Sequence, residues 1–220
     1  MKLESYGILI GLRPFGERDC IAHIFTRDHG VMCGMIRGGQ SAKKNKPLIG
    51  QVGPVSWNAR VDSQLGAFHF EAEKNMAAPI MMDGKLLGIM NSAFALVALL
   101  LPERENYGTV FEHLLLLLKQ MDSEPGEHIL EFYLAWERTL LQELGYALNL
   151  KTCSNCGRTD NLNYLSPRTG RAVCDDCAKP YLGRVFELPL NLGVTRKFLE
   201  MICDSQGVTL PLARKMIANL

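Results

Sequence analysis

Cys153-Ser-Asn-Cys156 is followed, after the 17 residues 157–173, by Cys174-Asp-Asp-Cys177. One tight Cys-x-x-Cys turn presents two thiolates, and a second pair beyond a linker of about 15–20 residues completes a tetrahedral shell for zinc. Gly157 permits the turn that wraps backbone amides around the first two sulfurs. Two disulfides, or four unrelated buried thiols, are the competing readings. A thioredoxin-type redox site needs only one such pair inside a strand-then-helix pattern, and neither pair here has that setting. Four sulfurs close the shell. The metal expected at Cys153, Cys156, Cys174 and Cys177 is therefore one structural zinc ion, not a catalytic one. Asp175 and Asp176, between the last two ligands, are expected to tune or solvate that knuckle.

Outward from this stretch the apolar residues take a helical period. Phe132, Trp136, Leu140 and Leu144 recur at steps of four. They predict a helix over residues 128–144, with Gly145 at the cap where a left-handed residue is wanted. Two earlier helices are expected, over residues 84–101, stopped by Pro102, and over residues 107–121. The continuous leucines 114–118 in the latter imply burial on most sides. Downstream, Thr195 is the expected N-cap of a helix over residues 195–203, and a last helix follows Pro211. Lys85, Arg104 and Lys119 read as solvated cations beside the apolar helices. His69, His113 and His128 are not at ligand spacing in the sequence and read as core or surface residues. Cys20, Cys33 and Cys203 sit among apolar neighbours and read as small buried hydrophobes.

Before residue 82 the pattern is different. Residues 6–12, 20–26, 31–37, 54–61 and 67–72 are short strand-like runs, with turn formers between them. Five strands without a helical period predict a small sandwich or barrel. A five-stranded closed barrel of the oligonucleotide-binding (OB) type is one solution, because closure removes exposed edges. The connection after the third strand reads Arg37-Gly-Gly-Gln-Ser-Ala-Lys43-Lys44-Asn-Lys46, with four cations and no acid. Charge runs are commonly just solvated loops. Here the uniform sign and the two glycines favour close approach to phosphates. Arg37, Lys43, Lys44 and Lys46 are the expected DNA contacts, with Arg13 and Arg18 on a second barrel edge. A Walker-type phosphate loop is excluded, since its motif does not occur. Phe15, Phe25, Trp57, Phe68 and Phe70 are of a type that stacks bases, but a small barrel needs such residues as filling.

The chain's 220 residues can form one large domain or two small ones, and 47% hydrophobic residues suffice for packed cores. A formal net charge of +1 does not mark a nucleic-acid binder, but the charge is uneven. Residues 1–60 carry a net +5 and residues 121–150 a net −5. A basic front and an acidic middle suggest an anion-binding module joined to something else. The longest apolar run, residues 86–101, is broken by Asn91 and Ser92 and falls short of the ~20 residues a bilayer span needs. No cleavable leader follows Met1. No membrane role is expected, and the cytoplasm is the expected compartment, where metal-held thiols are favoured over disulfides. Serine-hydrolase and zinc-protease motifs do not occur, so no catalytic residue is assigned and no enzyme is expected.

Five residue groups, in order along essentially the whole chain, together resemble the bacterial RecO family of recombination mediators. They are Glu17-Arg-Asp-Cys-Ile-Ala-His-Ile-Phe-Thr-Arg-Asp-His-Gly30; Arg37-Gly-Gly39 with the basic loop; Phe132-Tyr-Leu-Ala-Trp-Glu-Arg-Thr-Leu-Leu-Gln-Glu-Leu-Gly145 running into the first cysteine pair; Tyr164-Leu-Ser-Pro-Arg-Thr-Gly170; and Thr195-Arg-Lys-Phe-Leu-Glu200 with Leu210-Pro-Leu-Ala-Arg214. The resemblance implies a multidomain protein. An N-terminal OB-type nucleic-acid-binding domain spans residues 1–78, and an α-helical domain spans residues 79–220 with a zinc-ribbon insert at 151–180. It also implies a non-enzymatic DNA repair and recombination mediator, cytoplasmic and nucleoid-associated. The implied partners are single-stranded DNA, with double-stranded DNA as a further ligand, and a RecR-type protein. A third is the single-stranded-DNA-binding protein, whose acidic C-terminal tail would dock in an apolar groove of the helical domain. The implied outcome is loading of a RecA-type recombinase. Family members are often more basic than this chain, which implies modest, partner-dependent DNA affinity. The chain stops soon after Arg214, which implies a tail shorter than the family's usual one. The alternative, from another class, is a zinc-ribbon scaffold whose partners are proteins only. Salt-sensitive DNA binding separates the two.

Overall fold

The computed structural model describes residues 1–40, 46–60, 65–123 and 128–217. Its N-terminal strands are β1 (Lys2–Phe15), β2 (Asp19–Thr26), β3 (Gly30–Ile36), β4 (Gln51–Asn58), β5 (Gly66–Phe70) and the short β6 (Lys74–Asn75). Strand β1 is long because it serves two partners. Its first half pairs antiparallel with β4, from Lys2↔Asn58 to Ile8↔Val52, and its second half with β2, from Gly7↔Thr26 to Phe15↔Asp19. A register shift between Leu9 and Gly11 marks an irregularity of the kind that bends a strand at a barrel corner. Strand β2 pairs antiparallel with β3, β3 pairs parallel with β5, and β5 pairs antiparallel with β4. The circuit β1–β2–β3–β5–β4–β1 closes, giving the expected five-stranded barrel. Each expected run contains a strand, but β1 extends further at both ends, β4 spans Gln51–Asn58 against the expected 54–61, and β5 ends at Phe70 rather than at residue 72.

The barrel is filled by Leu9, Ala22, Ile24, Met32, Val55, Trp57 and Phe68. Trp57 anchors this core: its indole N–H donates to the Cys33 carbonyl at 3.1 Å, and the Arg104 guanidinium lies 4.8 Å from the ring centroid. The ring fits because Gly66 faces it with no side chain. A Cβ at Gly66 would stand 2.1–2.4 Å from indole atoms.

Helix α1 (Gly84–Leu100) starts where Asp83 accepts hydrogen bonds from the N–H groups of Lys85 and Leu86 at 2.9 and 3.0 Å. Helix α2 (Gly108–Ser123) follows. Leu114, Leu115, Leu117 and Leu118 are buried and Leu116 is exposed, so the leucine run is covered on two sides and open on a third. Phe111 meets Phe25 edge-on at 5.4 Å, docking α2 on the outer face of β2. Arg27 reinforces the contact, with its Nε 2.5 Å from Glu112 and its guanidinium over Tyr6 and Phe111.

Next come α3 (Ile129–Glu143), β7 (Tyr164–Leu165), β8 (Ala172–Val173), α4 (Asp175–Ala178), β9 (Phe186–Glu187), α5 (Leu192–Ser205) and α6 (Leu212–Met216). In α3 the buried stripe is Ile129, Tyr133, Trp136, Glu137, Leu140 and Leu141, while Phe132 and Leu144 are only half-buried. The expected face is thus rotated by one position. Gly145 has φ +87°, as its capping position requires. The expected N-cap Thr195 lies inside α5, one turn after the true cap, Asn191. Asn191 accepts from the N–H groups of Gly193 and Val194. Thr195 is fully buried instead and donates to the Glu137 carboxylate at 2.6 Å, joining α5 to α3.

By their contacts the described residues form two compact units. One contains the barrel, α1, α2 and α6, and the other contains residues 128–210. The sequence boundary at 78/79 marks where strands give way to helices, whereas compactness groups α1 and α2 with the barrel. No helix among the described residues is long and apolar enough to cross a membrane.

Gly66→Ala should lower the stability of the barrel unit by about 1–3 kcal/mol, the usual cost of overpacking a filled core. A reduced urea midpoint followed by tryptophan fluorescence is the readout. An unchanged midpoint would mean that Trp57 does not require the gap.

Candidate nucleic-acid interface and metal centre

The basic segment leaves the barrel at the end of β3. Arg37 is exposed, and the turn after it is tied to the β1–β2 turn. The Gly38 N–H donates to the Asp19 carboxylate at 2.7 Å, the Gln40 N–H to the Arg18 carbonyl at 2.9 Å, and the Gln40 side-chain amide to the Asp19 carbonyl at 2.6 Å. Two of the expected DNA contacts, Arg18 and Arg37, are thereby carried on joined turns. Gly38, at φ +70°, takes a backbone conformation that suits glycine. Lys46 is exposed at the far end of the segment. Lys43 and Lys44 lie outside the described residues.

Arg37 borders an open cavity of about 640 Å³ together with Lys2, Arg60, Phe68 and His69. The N-terminal ammonium also sits there, donating to the Ala59 carbonyl at 2.8 Å. A second hollow, about 300 Å³, places Lys46 beside half-buried Phe70. Among the described residues, Arg13, Arg18, Arg37, Lys46 and Arg60 have no carboxylate partner, whereas Arg27 is engaged by Glu112 and Lys74 by Asp122. Lys2 pairs with Glu4, an exposed contact of little energetic consequence. Sequence reasoning counted Arg60 in the basic front but had no signal to place it beside Arg37. That placement arises because β4 and β5 pair, with Asn58 opposite Ala67. Of the aromatic residues considered for stacking, Phe25, Trp57 and Phe68 are buried. Phe15 is exposed and Phe70 half-buried.

The metal centre lies in the second unit. All four sulfurs, of Cys153, Cys156, Cys174 and Cys177, fall within 4.8 Å of one another, and all four cysteines are free thiols. The Cys156 and Cys174 sulfurs are 3.7 Å apart. Zinc–sulfur bonds of about 2.3 Å at tetrahedral angles require about 3.8 Å between sulfurs, so the donor set fits a zinc ion. The first knuckle precedes the small sheet β8–β7–β9, and the second begins at the end of β8, with Cys174 capping α4. The Gly157 N–H donates to the Cys153 carbonyl at 3.0 Å and closes the first turn, and Gly157 has φ +74°. Asp176 ties the two knuckles together through Arg158 at 3.0 Å and also holds Lys179 at 2.8 Å. These contacts keep its carboxyl below the usual range. Asp175 accepts from the Asn163 amide.

The thiols are unequal. Burial acts to raise Cys153, but the backbone N–H groups of Cys156, Cys174 and Asn155 outweigh it and bring the thiol down to about 6. On Cys177 the Asn155 amide acts to lower the pKa, but the neighbouring sulfurs outweigh it and push the thiol up to about 11. Backbone N–H groups thus favour the Cys153 thiolate, whereas the crowded sulfurs disfavour the Cys177 thiolate, an effect that a cation would offset.

A family model described as Recombination protein O N terminal matches residues 1–71, and one described as Recombination protein O C terminal matches residues 81–200. Among curated proteins, a DNA repair protein RecO of Granulibacter bethesdensis is 38% identical over 188 residues, covering 84% of this chain and 74% of its own. One of Rhodospirillum centenum is 39% identical over 193 residues, covering 86% and 76%. Another, of Jannaschia sp., is 39% identical over 194 residues, covering 87% and 77%.

All 7 cysteines should react with a thiol reagent when the chain is unfolded in denaturant without reductant. A count of three would mean that the four clustered sulfurs are paired as disulfides and would exclude the metal centre.

Proposed function

The chain belongs to the RecO family of DNA repair proteins, and we propose that it is a non-enzymatic recombination mediator whose barrel holds single-stranded DNA by its backbone. The observation that carries this reading is the set of barrel cations without a carboxylate partner among the described residues, with Arg37 and Arg60 at a single open cavity. Cations left without internal carboxylates are available to neutralise phosphates and release counterions. Phosphate contacts carry no sequence information, so binding is sequence-tolerant. Lys46 and Phe70, side by side, supply a cation and an aromatic face for an unstacked base. Duplex DNA would bind the same cations.

In the second unit an apolar cavity of about 350 Å³ is lined by Leu134, Ala135, Leu150, Leu188 and Leu190, with Arg138 at its border and Glu131, which faces His128 at 3.5 Å, also on its rim. This combination suits a short peptide with apolar side chains and a carboxylate, and we assign it to the acidic tail of the DNA-coating protein. The four cysteines hold one structural zinc ion, and folding of residues 151–178 is coupled to it. Family membership alone supports pairing with a RecR-type protein, loading of a RecA-type recombinase, and work at the nucleoid in the cytoplasm.

On single strands each phosphate contact contributes about −0.7 to the log–log salt slope. Replacing Lys43, Lys44 and Lys46 together by alanine should flatten the slope by about 2, and replacing Arg37 and Arg60 together by about 1.4. Fluorescence anisotropy over a salt series, with circular dichroism as folding control, reads both. Unchanged slopes in folded variants would move the site to the Arg13/Arg18 edge. No salt-sensitive binding in the unaltered chain would favour the protein-only scaffold.

A fluorescent acidic C-terminal peptide of a coating protein should bind the unaltered chain and lose most of its affinity on Arg138→Glu. Equal binding by both would place the tail elsewhere. Cys174→Ser should cost one zinc ion per chain and leave residues 151–178 open to proteolysis, since metal binding contributes on the order of 10 kcal/mol to folding such sites.

A further inference from the structure

On the barrel, away from the four-cysteine cluster, three donors of different chemistry meet. His23 on β2 and Cys33 on β3 are register partners, His23↔Cys33, with Nε2 and Sγ 3.8 Å apart. Their chain neighbours Ala22, Ile24 and Met32 fill the barrel, so alternation turns both side chains to the outer face. The third donor, Glu103, comes from the segment after α1. A parallel bridge sets Glu103 against Val31, and the Arg104 N–H donates to the Val31 carbonyl at 2.9 Å. Arg104, at φ +64°, places its guanidinium over Trp57 and holds the segment in place. The imidazole nitrogen, the thiol sulfur and a carboxylate oxygen all lie within 4.8 Å of one another. His23 and Cys33 are half-buried, and Glu103 is exposed.

We infer that His23, Cys33 and Glu103 form a second metal site, one for a zinc-like divalent cation with a coordination position left open to solvent. Bonds of about 2.0–2.3 Å at tetrahedral angles put neighbouring donors about 3.3–3.8 Å apart. The His23–Cys33 pair already meets that spacing, and the exposed Glu103 side chain has room to close on it. A neutral imidazole, a thiolate and a carboxylate supply two negative charges, matching a divalent ion. The nitrogen–sulfur–oxygen set selects borderline metals such as zinc over magnesium or calcium, which take oxygen shells. The backbone sets all three donors in advance, two by the sheet and one by the bridge. Gly11, opposite His23 on β1, brings no side chain against the ring. Three protein donors leave a fourth position for water or a ligand atom, unlike the closed four-sulfur shell. The site uses none of the zinc-ribbon cysteines and does not depend on them.

Equilibrium dialysis of the full chain against zinc, with metal counted per chain, tests it. The unaltered protein should bind one zinc ion more than Cys33→Ser, and Cys174→Ser should keep that ion while losing the other. Loaded with cobalt, the unaltered chain should lose, on Cys33→Ser, the part of its sulfur-to-cobalt charge-transfer absorption that Cys33 contributes. Glu103→Gln, at an exposed position, should weaken this ion on the order of tenfold or more without altering circular dichroism, which covers the case of a misfolded Cys33 variant. Equal zinc counts in the unaltered, Cys33→Ser and Glu103→Gln chains would overturn the proposal.

Discussion

Strand β1 must hydrogen-bond to two different strands, and the N-terminal unit depends on that constraint. Its first half completes a ladder with β4 and its second half one with β2, and the irregularity between Leu9 and Gly11 lies between the two registers. A flat sheet built on β1 would leave β3 and β5 as open edges. Closure instead turns Leu9, Ile24, Val55 and Trp57 onto a common interior. It also sets β5 between β3 and β4, bringing Arg37 at the end of β3 and Arg60 after β4 to one cavity. The proposed interface would thus be a consequence of strand order.

The second unit meets a different constraint. Strands β7, β8 and β9 are two residues each, too short to stand as a sheet by their own pairing. The cluster beneath them is small and includes the cysteines themselves, with Cys153, Val173, Cys174 and Ala178 buried. Four sulfurs within 4.8 Å of one another make a poor core until a cation binds them as thiolates. Asp176, bridging Arg158 and Lys179, aligns the two knuckles from outside. Buried Glu137, holding Thr195, fixes the helices of the same unit to each other.

Charge is sorted between internal and external roles. Arg27 and Lys74 are engaged within the first unit by Glu112 and Asp122, and Arg104 by an aromatic face. Among the described residues, Arg13, Arg18, Arg37, Lys46 and Arg60 of the barrel segment have no carboxylate partner, so a chain of net charge +1 still carries unpaired cations there. Steering of an anionic partner depends on local field, not on total charge. The unit carrying Arg138 includes an apolar hollow, the one proposed above for a peptide.

While the resemblance to a family supplied the closed barrel, the sequence by itself determined the element types, a small all-β N-terminal module, the four-cysteine cluster and the sign of that module's charge. Each of these is local: alternation, helical period, a Cys-x-x-Cys turn, a run of lysines. Where local signals competed, the reading slipped. Thr195 has the chemistry of a cap, but the cap is Asn191, because a buried Glu137 from a distant helix claimed the threonine hydroxyl. Cys33 read as a small hydrophobe, since nothing nearby in sequence shows that His23 lies across from it or that Glu103 is bridged to Val31. Arg60 gave no sign of sharing a cavity with Arg37. Only the tertiary structure decided these placements, because strand pairing joins residues tens of positions apart, and distance in space is a property of register and closure that no local pattern carries.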